Sequence, residues 1–364
     1  MRIIIIANSC GGLYKFRKEL ILEMINHSWG VYLVVPQSIW TQSLKDLGCQ
    51  WIPFEFNRRG VNPMADLWQI HRYRKILRNV QPDMVLTYTI KPNIYGGIAC
   101  QKERIPYITT ITGLGDSIEN GGLLAKISMA LYRKGISGAK CVFFQNIANQ
   151  CYFINSRIID KERTRVVSGS GVNLDMFPFE PYPEEKNGLK FLFVGRIMRD
   201  KGFGELLKAI NILHNENPLI TMDVVGDYEE KEWKTLLQAN ENAGAIHYHG
   251  YQTDIRPFYS NAHCIVLPSY HEGMANVLLE ASATGRPVIA TNVPGCQETF
   301  NENVTGFVCR PKDTDSLLEA MHKFIALSMT EHIKMGLSAR KKMIKEFDRK
   351  VIVKAYMDKI MKIE

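Results

Sequence analysis

Short apolar runs of three to five residues recur along the whole chain, each followed after a turn by a stretch with helical spacing. In the first half the runs fall at 3–7, 31–35, 51–53, 84–87, 107–110 and 141–144. Helical periodicity fills 14–26, 65–78, 93–103, 123–134 and 148–153 between them. A second series of runs follows at 191–194, 221–225, 245–248, 264–267, 287–290 and 305–308. Runs that are apolar on both faces demand cover on both sides, which parallel β–α–β sheets provide. The two series are separated by 169–188, a turn-rich stretch containing Pro178, Pro181 and Pro183 that reads as a linker. A chain of 364 residues, 46% apolar, can bury two cores. The expectation is an α/β chain of two Rossmann-like parallel-sheet domains, divided as 1–170 and 171–345. The last segment, 351–363, carries Ile352, Tyr356, Ile360 and Ile363 at helical spacing. The opening run is too short for a signal-peptide core and reads as a first strand.

Two segments carry candidate chemistry. The first runs from Phe191 through Val194-Gly195-Arg196 to Lys201-Gly202: an apolar strand, then a loop with two cations. Cations at a strand's carboxyl end sit where open α/β sheets bind ligands. Arg196 can fork onto phosphate oxygens and Lys201 can act as a point charge. The second is Glu272-Gly273-Met274-Ala275-Asn276 with Glu280 eight residues after Glu272. Helical rise throughout would put the carboxylates roughly 10–12 Å apart, with free helix N–H groups between them to receive a phosphate. That order of carboxylate, anion site, carboxylate matches the hexose, pyrophosphate and ribose of a nucleotide sugar. Glu272, Arg196 and Lys201 are therefore the candidate catalytic residues. Gly195, Gly273, Met274, Ala275, Asn276 and Glu280 are candidate donor contacts.

These segments, with Val225-Gly226-Asp227, Leu267-Pro268-Ser269, the run Gly285 to Ala290, Gly295 and Glu298, resemble glycosyltransferase family 4. In the first half Val35-Pro36-Gln37, Gly113-Leu114-Gly115 and Ser170 to Leu174 are similar to a bacterial branch of it that acts on undecaprenyl-diphosphate-linked sugars. The resemblance implies the GT-B fold, two domains facing across a cleft, with a C-terminal crossover helix at 346–364 returning to the first domain. It implies retention of anomeric configuration, a UDP-sugar as donor substrate (an N-acetylhexosamine as the best assignment), no cofactor and no metal. It carries Gly11 and Gly12 over as donor contacts and places Tyr251 beside the nucleobase. Many members have a histidine in the loop that here reads Ile111-Thr112-Gly113-Leu114-Gly115-Asp116. That histidine is absent, so sugar contacts fall to backbone groups or Asp116.

Charge is uneven. Residues 1–175 hold 22 Lys and Arg against 12 Asp and Glu, a net of +10, while the remainder of the +8 chain is slightly acidic. Such a half suits an anionic membrane surface or a lipid diphosphate. Lys15 and Arg17, near the start of the first helix, would be electrostatically misplaced without an anion. They join Lys91, Asn93 and Asp116 as candidate acceptor contacts. Helices at 68–78 and 123–140 mix apolar and basic residues, a pattern that either lies on a membrane or docks on a sheet. No nucleic-acid motif is present. Eight cysteines without metal spacing read as buried thiols of a reducing cytoplasm. The expected setting is cytoplasmic, peripheral on the inner face of the cell membrane. Alternatives are a transferase of the same family with a soluble acceptor, a nucleotide-sugar-binding partner without turnover, and a Rossmann oxidoreductase.

Overall fold

The structure is a computed structural model describing residues 1–363 apart from 56–62, 116–117, 119–120, 185–187 and 229–230, with backbone alone at 63–67. The chain divides into two compact units, Met1–Ser170 with Arg349–Glu364, and Gly171–Asp348.

The first unit holds a parallel seven-stranded sheet, formed by β1 (Arg2–Ile6), β2 (Gly30–Val35), β3 (Gln50–Pro53), β4 (Met84–Tyr88), β5 (Tyr107–Ile111), β6 (Cys141–Phe144) and β7 (Thr164–Val166). Their order is β3-β2-β1-β4-β5-β6-β7, so direction reverses between β1 and β4, where Ile3 pairs with Met84 and Ile6 with Thr87. Because strand side chains alternate, Ile3 and Ile5 enter one core and Ile4 and Ile6 the other. The first core is closed by helix Cys10–Asn26 and by the terminal helix Arg349–Met361, through Ile352, Tyr356 and Ile360. Tyr356 stacks on Phe143 at 4.2 Å and shares a 2.8 Å hydrogen bond with Thr110. The terminal segment is thus helical with the predicted apolar face, and it completes the first unit.

The second unit repeats the scheme with β8 (Lys190–Val194), β9 (Thr221–Val225), β10 (Ile246–Tyr248), β11 (Cys264–Leu267), β12 (Val288–Thr291) and β13 (Gly306–Cys309) in the order β10-β9-β8-β11-β12-β13. Its direction reverses between β8 and β11. Both units are Rossmann-like, as expected.

One predicted helix differs. The stretch 93–103 opens as a wide π turn, Pro92–Gly96, before regularising at Gly97–Glu103. Pro92 lacks an N–H and fits a first turn, where that donor has no partner to lose.

Candidate active site

The two charged loops predicted from sequence leave neighbouring strands, β8 and β11, on either side of the switch point in the second unit. They are locked to one another by backbone. Tyr270 N donates to Asp200 O at 2.9 Å. Gly202, at φ +68°, lies so close that a Cβ there would stand 2.1 Å from Pro268 O. No other residue fits this crossing.

Across the lock the Lys201 ammonium pairs with Glu272 Oε1. Ser269 Oγ donates to the same oxygen at 2.8 Å, and Thr291 Oγ1 holds Ser269 O at 2.6 Å. Both charged side chains are largely buried, 19% and 14% exposed. Burial and the nearby Glu272 carboxylate push the Cys296 thiol well above its ordinary value. Arg196 lies exposed on the same loop, between backbone bonds that tie Gly195 to Val225 and Ile197 to Asp227. Tyr270 reaches Glu205 with its hydroxyl at 2.8 Å, and burial followed by that bond lifts it to about 12.

Helix Asn276–Thr284 begins at Ala275 with no side-chain cap and no acidic residue in its first turn. Its positive end is therefore not offset by a carboxylate of its own first turn. Ala275 N donates to Gly295 O at 2.8 Å, and Gly295 N to Glu298 Oε2 at 2.7 Å, which fixes the turn before the helix. The helix starts four residues after Glu272, so the expected 10–12 Å separation, which assumed helical rise from Glu272 onward, does not apply.

Glu280 is buried and accepts a 2.9 Å hydrogen bond from the Tyr259 hydroxyl. Burial, then the Glu280 charge, raises Tyr259 well above its ordinary value. Arg286, fully buried, donates to Tyr259 O at 2.9 Å and to the carbonyls of Glu180, Pro181 and Ser260. Burial lowers its pKa to about 10. Sequence reasoning missed Tyr259 and Thr291 and gave Ser269, part of a recognised motif, no role. Nothing in the order of residues announces that Tyr259 faces Glu280.

In the first unit several expectations change. Helical structure begins earlier than the spacing from 14 onward indicated and takes in Gly11 and Gly12, because Ser9 caps the helix by accepting from Gly12 N at 3.1 Å and Cys10 is already helical. Gly11 lies beneath Trp40, whose ring would stand 2.9 Å from a Cβ, so close packing accounts for that glycine. Lys15 lies 5.3 Å over the Trp40 ring. Arg17, only 5% exposed, lies between the rings of Tyr88 and Tyr356 at 4.9 and 5.6 Å. Aromatic faces thus meet the two cations that sequence had matched to an anion. Lys91 is half-buried just past β4. Asn93 is a correction: it is 0% exposed and donates to Thr110 O at 2.9 Å, a brace within the unit and not a surface contact. Asp116 falls outside the described residues. In the second unit Tyr251, 45% exposed, follows β10. No cluster of potential metal ligands occurs among the described residues.

Comparison with known proteins matches residues 178–346 to the glycosyl transferases group 1 family and residues 6–146 to the glycosyl transferase 4-like family. Over the full length of both chains the protein is 27% identical to the N,N'-diacetylbacillosaminyl-diphospho-undecaprenol alpha-1,3-N-acetylgalactosaminyltransferase of Campylobacter jejuni. It is also 27% identical to the capsular polysaccharide biosynthesis glycosyltransferase CapM of Staphylococcus aureus, over 81% of this chain and 80% of that one. Among solved structures, Anabaena Alr3699/HepE in complex with UDP and glucose superposes with a TM-score of 0.82 at 18% identity, covering both chains completely. A Rickettsia africae glycosyltransferase does so with a TM-score of 0.78 at 21% identity, covering 98% of this chain and 97% of that one.

Proposed function

Since this chain belongs to the glycosyltransferases, with a 4-like domain followed by a group 1 domain in a GT-B fold, we propose that it moves an N-acetylhexosamine from a UDP-sugar onto an undecaprenyl-diphosphate-linked saccharide with retention of configuration. The observation that carries the donor half is the Lys201–Glu272–Ser269 cluster just ahead of helix Asn276–Thr284, whose start has no side-chain cap and no acidic residue in its first turn. On this reading the departing diphosphate draws Lys201 from Glu272 and rests on Arg196, Lys201 and the helix amides, which stabilise charge as the sugar–phosphate bond breaks. Glu272, released, orients the hexose hydroxyls. Glu280, held by Tyr259, takes the ribose hydroxyls. The acceptor oxygen bonds to the anomeric carbon from the face the diphosphate leaves, and its proton passes to a donor phosphate oxygen. Neither a metal nor a cofactor enters the scheme.

The full-length similarity to a transferase named for a diphospho-undecaprenol acceptor supports the lipid-linked half. So does the first unit's surface. Among the described residues no helix is long and apolar enough to cross a membrane. Helix Gly122–Ile136 nevertheless leaves Leu123 75% exposed, with Leu124 and Ile127 also open to solvent beside the exposed Lys126, Arg133 and Lys134. Of the two readings left open for this segment, lying on an anionic bilayer fits that pattern better. The placement on the inner leaflet follows from a cytoplasmic nucleotide sugar. The test is transfer from UDP-N-acetylglucosamine, UDP-N-acetylgalactosamine, UDP-galactose and GDP-mannose to undecaprenyl-diphosphate-linked and to lipid-free saccharide. Equal rates on the lipid-free acceptor would discard the lipid-linked part of the proposal.

A further inference from the structure

Just past the carboxyl end of β4, two residues beyond the Ile6–Thr87 pair at the first unit's switch point, Thr89 adopts φ +70°. For a β-branched side chain that conformation is among the least tolerated. Its hydroxyl is unsatisfied as well: Oγ1 is closed from solvent and has no hydrogen-bond partner among the described residues. The contrast with Thr87, two residues earlier, is direct, since its hydroxyl meets Thr109 at 3.0 Å. The backbone at Thr89 has a plain structural duty, its carbonyl accepting from Asn93 N at 2.9 Å to start the following turn. Glycine or asparagine would perform that duty with less strain. What threonine adds is the hydroxyl, which bonds to none of the described residues.

Two independent unfavourable features on one residue, at the sheet edge where open α/β folds place ligands, mark a group held ready for a partner. The residue as a whole is half-buried, so part of it reaches the surface, and rotation about χ1 moves the hydroxyl between staggered positions. A hydroxyl that both donates and accepts suits a sugar hydroxyl. Lys91, two residues on, offers a cation to a neighbouring phosphate. Resting on the functional reading above, in which the donor is held by the second unit, we infer that Thr89 is a specificity-determining contact to a hydroxyl of the acceptor sugar.

The experiment compares acceptor and donor KM, kcat and melting temperature for the wild type, Thr89→Val, Thr89→Ser and Thr89→Gly. Val keeps shape and strain but removes the hydroxyl; it should raise acceptor KM about three- to tenfold, the range for one neutral hydrogen bond, with donor KM within about twofold. Ser should retain wild-type acceptor KM. Gly should melt a few degrees higher while losing acceptor affinity as Val does. Unchanged acceptor KM in Val, or a change confined to donor KM, overturns the inference. A wild type that extends no lipid-linked acceptor defeats the functional reading itself, a result visible before any variant is made, and takes the inference with it.

Discussion

The Lys201 ammonium is paired with the Glu272 carboxylate, so the two groups assigned above to diphosphate and to hexose neutralise each other. The pair also explains why these two charged side chains can sit largely buried: neither ion faces the interior without a counter-ion.

Lys201→Ala should lower kcat by about two to three orders of magnitude, the cost of removing one group that stabilises transition-state charge. Steady-state rates at saturating donor check it. A fall in donor affinity with kcat intact would reassign Lys201 to ground-state binding.

Tyr259→Phe removes the hydroxyl that donates to the Glu280 carboxylate and should weaken UDP binding about tenfold, as expected for a hydrogen bond to a charged group. Glu280→Ala should weaken it at least as much. Calorimetric titration with UDP gives both numbers, and unchanged affinity in both variants removes Glu280 from the ribose site.

Of eight cysteines only Cys151 is exposed; the other seven are buried. Burial lifts the Cys49 and Cys309 thiols to about 12 and raises Cys296 well above its ordinary value. Because the thiolate is the reactive form, native protein at pH 8 should take up a single alkylating group, on Cys151, and keep its activity. Peptide mapping after iodoacetamide decides this; labelling of Cys296 before unfolding would show that the region behind Glu272 opens.

Replacing Leu123, Leu124 and Ile127 together with serine should cut binding to anionic vesicles at least tenfold without changing kcat on a short-chain soluble acceptor. Raising salt should weaken the wild type's vesicle binding as well, through Lys126, Arg133 and Lys134. Flotation assays on vesicles with and without anionic lipid measure both, and undiminished binding of the triple variant places the contact elsewhere.

The fold was largely legible because parallel strands are apolar on both faces, and a run such as Ile3 to Ile6 has no alternative to burial. The candidate site was legible wherever residues adjoin along the chain, as at Gly195 to Gly202 and Glu272 to Glu280. It was not legible where partners come from distant segments: Tyr259 under Glu280, Thr291 behind Ser269, Trp40 over Gly11. Charge was misread in the same way. Arg17 suggested an anion because sequence shows its position on the helix but not the two aromatic rings that meet it. Asn93 followed a strand end and suggested a surface contact, yet the π turn at Pro92–Gly96 carries it into the core.

The central claim is tested most directly by incubating the purified protein with a UDP-N-acetylhexosamine and an undecaprenyl-diphosphate-linked saccharide, in the presence of EDTA, and determining product mass and anomeric configuration. The account predicts a lipid product heavier by one N-acetylhexosamine, α-linked, and lost in Lys201→Ala. Release of UDP without extension of the lipid, or a product of inverted configuration, would contradict it.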